Sequence, residues 1–117
     1  MSIIVAKDAG AEFIADEWRI TMYAQLLMFT LGVGMRATAE KIADEFTVVH
    51  KPLKGFKSAI YLGDEASGEY GSLTIWETPE DIKTASNILQ PKLKESLSGI
   101  AKGAPTVRIF EIYEPKA

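Results

Sequence analysis

His50 is the only histidine in the chain. Its side chain is the one whose ordinary pKa lies near neutrality, so it is the natural proton acceptor for a group such as a phenol. The run "TAEKIADEFTVVH" repeats apolar residues at helical spacing. At ~100° per residue His50 falls in the middle of the stripe carrying Ala43 and Phe46, and so points inward. Two readings follow: a helix-end histidine capping carbonyls or bonded within the core, or a base or hydrogen-bond donor in a pocket. Trp76 closes the strand "YGSLTIW" and shares a face with Thr74, Ser72 and Tyr70. Those small and polar neighbours suit a cavity wall, with Tyr70 as a further wall residue, although a tryptophan at a strand end serves equally well as core. Tyr61 carries a hydroxyl that either orients a ligand or packs between subunits. Tyr61, Tyr23 and Thr30 are all weaker candidates than His50 and Trp76. Arg108, in an apolar strand, pairs with an acid across an interface or neutralises an anionic ligand.

Several chemistries are excluded. With no cysteine there is no disulfide, thiolate metal site or cysteine nucleophile, and the composition fits a reducing, cytoplasmic setting. One histidine and no Asp-x-Asp spacing leave no cluster for a metal ion. No dinucleotide-binding or phosphate-loop glycine pattern occurs. Net charge is −3 and the 13 Lys and Arg residues are scattered, whereas a nucleic-acid surface needs a basic face. The stretch "KGFKSAIY" imitates an RNA-binding signature, but it falls on the second strand of the core instead of the third. Its central stacking position is Ser58. The uncharged run "ITMYAQLLMFTLGVGM" is short of the ~20 residues a membrane helix needs, and it reads as a strand buried on both faces. No secretory leader is expected at the start of the chain, where Lys7 and Asp8 closely follow a short apolar run.

The elements that must position these residues follow from turn and period signals. The 117 residues make one domain of ordinary size, and the 47% hydrophobic and 25% charged residues indicate a globular chain. Residues 1–22 form an N-terminal extension in which "SIIVA" has strand character and "AEFIADEW" weak helical character. A strand is predicted from Tyr23 to Val33, ended by Gly32 and Gly34. Helix follows from Thr38, as N-cap, to a point before Pro52. "KSAIYLG" and "YGSLTIWE" are strands joined by the hairpin loop "DEASGE". "TPED" starts a second helix, with Thr78 as cap and Pro79 at the first position. Pro91 interrupts or restarts that helix, which runs on to about Ala101. "TVRIFEIYE" is the last strand. The core, about residues 23–114, therefore reads β-α-β-β-α-β: an α+β, ferredoxin-like, four-stranded antiparallel sheet with both helices on one face. The predicted first and last strands are apolar on both sides, which calls for a partner on the helix-free face and hence a homodimer.

The segments "TAEKIADEFTVVHKPLKGF" and "LTIWETPED" resemble the antibiotic-biosynthesis-monooxygenase-like proteins, the dimeric α+β barrels, over about residues 25–114. The resemblance implies a homodimer whose two sheets close into a barrel. It also implies a pocket in each subunit between sheet and helices. Members include cofactor-free oxygenases of polyketide quinones, haem-degrading enzymes and proteins without known activity. For the haem-degrading branch the resemblance calls for an axial histidine where this chain has Glu95 and Ser96, and for an asparagine where it has Thr30; haem is therefore not expected, nor any other cofactor. The expectation for this chain is a cofactor-independent monooxygenase or related enzyme on an aromatic or quinone-like substrate. His50 would be its catalytic base, with Trp76, Tyr61, Thr30 and Tyr70 binding substrate. The other expectation is a non-catalytic homodimer that binds a small ligand or serves a structural role. No nucleic acid or membrane is expected as a partner.

Overall fold

The computed structural model describes residues 3–4 and 18–115. In chain order the elements are β1 (Ile3–Ile4), β2 (Trp18–Thr30), α1 (Arg36–His50), β3 (Phe56–Asp64), β4 (Glu69–Trp76), α2 (Pro79–Leu97) and β5 (Thr106–Pro115). They form one antiparallel sheet of order β1-β5-β2-β4-β3. Without the two-residue β1 at its edge, this is the ferredoxin-like βαββαβ arrangement expected from the sequence.

Register assigns the faces, since residues directly opposite across antiparallel strands share a side. Tyr23, Gln25, Leu27 and Phe29 of β2 stand opposite Trp76, Thr74, Ser72 and Tyr70 of β4. This face carries the helices. Phe29, Leu31 and Tyr70 pack with Ala39, Ile42 and Phe46 of α1 and Leu97 of α2. Trp76 packs with Ile82 and Ala85 of α2. The other face carries Leu26 and Met28, Leu73 and Ile75, Ile60, and Phe110 by the same alternation. Ile60 remains 54% exposed there.

Four boundaries differ from expectation. β2 starts at Trp18 instead of Tyr23 and ends at Thr30; its first residues pair only with β5, across an irregularity between Ile20 and Met22 that breaks the alternation a sequence reading relies on. Leu31 and Gly32 instead donate their N–H groups to the Gly68 carbonyl in the β3–β4 hairpin. Helix α1 begins at Arg36 and no side chain caps it, so Thr38 lies inside the first turn. Gly34, at φ 81°, makes the sharp entry that a capping residue would otherwise mark. Glu40 pairs with Arg36 at 3.3 Å. Helix α2 runs unbroken through Pro91 to Leu97. Pro91 deprives the Asn87 carbonyl of a helical donor, but both residues are exposed and water can replace it. Thr78 caps α2 as expected, accepting from the Asp81 N–H at 3.1 Å.

The two-sided apolarity of β5 also resolves differently. Val107 and Ile109 stand opposite Leu27 and Gln25, on the helix-bearing face, yet are 48% and 53% exposed because the helices leave β5 partly uncovered. Of the N-terminal expectations, Ile3–Ile4 is a strand paired to β5 and Trp18 belongs to β2; the remaining residues of "SIIVA" and "AEFIADEW" lie outside the described residues.

Candidate functional site

A cavity of about 440 Å³ lies between the helix-bearing face and the two helices. Alternate residues of two neighbouring strands make its floor: Gln25, Leu27 and Phe29 from β2, and Tyr70, Ser72 and Thr74 from β4. Residues from Ala39 to His50 on α1 and from Ser86 to Leu93 on α2 make its roof. Arg36 forms a polar rim with Glu40 and Glu65 at 3.3 and 3.5 Å. From Tyr70 to Thr74 the floor runs about 14 Å along β4, at roughly 3.4 Å per residue.

His50 is 7% exposed and lines this cavity. Its Nδ1 lies 2.8 Å from the carbonyl of Phe46, one turn back on α1. A carbonyl only accepts, so the proton of the neutral ring sits on Nδ1 and the lone pair on Nε2. Nε2 has no hydrogen-bond partner among the described residues. Burial pushes the His50 pKa below its ordinary 6.5, against a smaller opposing effect of the bond to Phe46. The neutral imidazole is thus the form present at pH 7. Phe56 stacks on it at 5.3 Å, with Phe46 at 6.2 Å and Trp76 at 6.0 Å, centroid to centroid. This aromatic collar is the source of the desolvation. His50 is thus bonded to a helix carbonyl within the core and at the same time faces a cavity.

Trp76 points to the helix-bearing face but does not line the cavity. It is fully buried, edge-on to Phe56 at 5.4 Å and packed on Ile82 and Ala85. Its Nε1–H donates to Thr74 Oγ1 at 2.8 Å. Trp76 therefore backs the site: it fixes Thr74, which does line the cavity, and supports the His50 ring. The expectation that it forms the wall itself is corrected to that extent. Its distal ring needs volume that only the core under α2 supplies.

Tyr61 lines the cavity, its hydroxyl 2.8 Å from Thr47 Oγ1 on α1. Tyr70 also lines it. Opposite Tyr70 is Gly63, where a Cβ would come within 2.9 Å of the tyrosine ring, so the bare backbone gives the ring room to lie across β3. The Tyr70 hydroxyl is buried without a partner among the described residues. Thr30 is not in the site. It follows Phe29 on the opposite face, at the end of β2, and its carbonyl accepts from the Lys102 N–H at 2.8 Å. Tyr23 packs against the Trp76 cluster and stays outside the cavity lining. Arg108 lies over the Phe110 ring at 4.7 Å on the helix-free face, so it does not neutralise a ligand in this cavity.

Sequence reasoning gave Thr74 only as a neighbour of Trp76, and passed over Gln25 and Thr47. The alternation of "YGSLTIW" was the available signal for Thr74. Thr47 matters only through Tyr61, which is distant in sequence. Among the described residues no group of three or more His, Cys, Asp or Glu side chains converges as a metal site. No helix among them is long and apolar enough to cross a membrane.

No protein-family profile matches the chain, and no curated protein sequence does. Solved structures do. A Nitrosomonas europaea protein of unknown function, NE2512, superposes with a TM-score of 0.68 at 12% identity, over 79% of this chain and 89% of that one. The monooxygenase ActVA-Orf6 of Streptomyces coelicolor, solved with nanaomycin D, gives 0.62 at 17% identity, over 78% and 87%. SnoaB of Streptomyces nogalater, a cofactor-independent oxygenase, gives 0.55 at 13%, over 77% and 92%. The chain has the fold of the antibiotic-biosynthesis-monooxygenase-like proteins, reached through sequences that share little beyond it.

Proposed function

We propose that this protein is a cofactor-independent monooxygenase, or a closely related small enzyme, that binds an aromatic or quinone-like substrate between its sheet and helices and works as a homodimer. The observation that carries the reading is the state of His50: neutral, buried in an aromatic collar, protonated on Nδ1 and presenting a free Nε2 at a largely apolar cavity. Such a group accepts a phenolic proton and leaves an electron-rich phenolate. The phenolate supplies electrons to dioxygen. One oxygen atom replaces a ring hydrogen and the other leaves as water, so that a phenol and dioxygen give a quinone and water. The cavity contributes orientation and exclusion of bulk water. Tyr61, Ser72 and Thr74 offer polar contacts, Tyr70 and Phe29 aromatic surface. ActVA-Orf6 and SnoaB, with the same fold, bear oxygenase names.

The homodimer rests on the helix-free face. Ile60 and Leu62 of β3 are 54% and 38% exposed there, beside half-covered Leu26, Met28, Leu73 and Ile75. A monomer would leave these neighbouring apolar side chains facing water, and contiguous exposed apolar surface is what marks interfaces.

A second reading, a small-ligand binder without catalysis, draws on the withdrawal of Trp76 from the cavity. Oxygen uptake with a panel of phenols and naphthols, read alongside quinone absorbance, separates the two. Uptake that disappears in His50→Ala supports the enzyme. Tight binding with no uptake by any phenol overturns it in favour of the binder.

A further inference from the structure

We infer that His50 and Tyr61 form a paired hydrogen-bond acceptor that takes the reduced, hydroxyl-bearing form of an aromatic ligand and rejects its quinone; this rests on the aromatic-ligand reading above. The carbonyls of α1 dictate where the protons go. Thr47 Oγ1 donates to the Ala43 carbonyl at 2.8 Å, which uses the only proton of that hydroxyl. The Tyr61 hydroxyl lies 2.8 Å from the same oxygen, so in this contact Tyr61 is the donor. Its own proton is then committed, and toward the cavity it can only accept. His50 is in the same condition: Nδ1–H is held by the Phe46 carbonyl, and Nε2 can only accept. Thr47 and His50 are three residues apart and therefore neighbours on one side of α1, and Tyr61, bonded to Thr47, and His50 both line the cavity. Ser72, Gln25 and Tyr70 also line it, but hydroxyls and a carboxamide offer donors and acceptors alike and do not discriminate.

An aromatic diol presents two O–H donors to this pair. Its quinone presents carbonyl lone pairs to the same two lone pairs and leaves the buried His50 nitrogen unsatisfied. In the proposed reaction, oxidation of the ligand would weaken its own hold on the site, so the product leaves without any moving lid.

The test is calorimetric titration under argon with three probes: a naphthalene diol with adjacent hydroxyls, its dimethyl ether, and the corresponding ortho-quinone. The chain has no thiol for the quinone to modify. The diol should bind about tenfold or more tighter than either other probe, the equivalent of one to two hydrogen bonds. Thr47→Val keeps the side-chain shape but frees the Tyr61 proton to donate. The quinone should then gain affinity, and the preference for the diol should shrink to about threefold. Tyr61→Phe should shrink it from the other direction, by weakening the diol alone. Wild-type affinities within threefold of one another, or a preference that neither variant moves, would overturn the acceptor pair while leaving an aromatic-ligand site standing. Failure of all three probes to bind would overturn both.

Discussion

The rings of His50 and Trp76 lie 6.0 Å apart, centroid to centroid, and only His50 lines the cavity. The pair is thus asymmetric: one residue faces the cavity and the other packs against it from behind. Substitutions at the two positions should separate accordingly.

At position 76 the first consequence is loss of stability. Trp76→Ala removes a fully buried indole and should cost about 3–5 kcal/mol, read as a lowered denaturation midpoint. Trp76→Phe should cost less, leave any aromatic-ligand affinity within about threefold and shift the melting temperature more clearly. A large loss of affinity in Trp76→Phe at unchanged stability would return the indole to the cavity wall.

His50 should make the protein acid-sensitive. Its folded pKa lies below 6.5 because burial disfavours the charged ring. The unfolded chain therefore binds the proton more readily. The contribution of this residue to stability is complete above pH 6.5 and is lost as pH falls through the lowered folded value. Denaturation midpoints compared between wild type and His50→Gln should converge as the pH is lowered. A difference that grows toward acid would mean that the imidazole is charged in the fold.

Tyr70 carries a buried hydroxyl with no partner among the described residues. Tyr70→Phe should therefore leave the ligand-free protein as stable, or raise its stability by up to about 1 kcal/mol, since an orphaned polar group is removed without a cavity being created. A loss above 1 kcal/mol in thermal unfolding would reveal a partner for that oxygen.

Gly55 sits at φ 81°, with the Asp81 carboxylate in the space a Cβ would fill. Its carbonyl accepts from the Glu77 N–H at 2.8 Å, so the turn after α1 is tied to the start of α2. Gly55→Ala should destabilise by about 2 kcal/mol or more, from left-handed backbone strain and displacement of Asp81 together.

The proposed dimer has a direct check in light scattering, where the mass should be twice the 12.8 kDa of the chain. Ile60→Glu places a charge among the exposed apolar residues of the helix-free face, on its edge strand β3, and should shift the particle to one chain without loss of helical signal. A wild-type mass of one chain at micromolar concentration would remove the dimer from the proposal.

The order of elements could be read from the chain because its signals are local. Thr78-Pro79 starts α2 through a hydroxyl and a fixed φ, the "DEASGE" loop turns on its own residues, and the stripe Ala39, Ile42, Phe46 and His50 shows its period within α1. The same locality makes the inward direction of His50 legible. Its inward direction and its bond to Phe46 both lie within one turn of one helix. Boundaries failed where distant partners set them. β2 begins at Trp18 because β5 is there to pair with it, and α1 begins at Arg36 without a cap because Gly34 turns the chain into it. Whether Trp76 is wall or core, whether Thr30 faces the cavity, and which side chain the Tyr61 hydroxyl meets were decided only by tertiary structure. Each depends on strand register or on a hydroxyl from another element, and a shift of one residue reverses every side chain on a strand. Local sequence carries the period of an element, whereas the face it turns to a cavity is fixed by what packs against it.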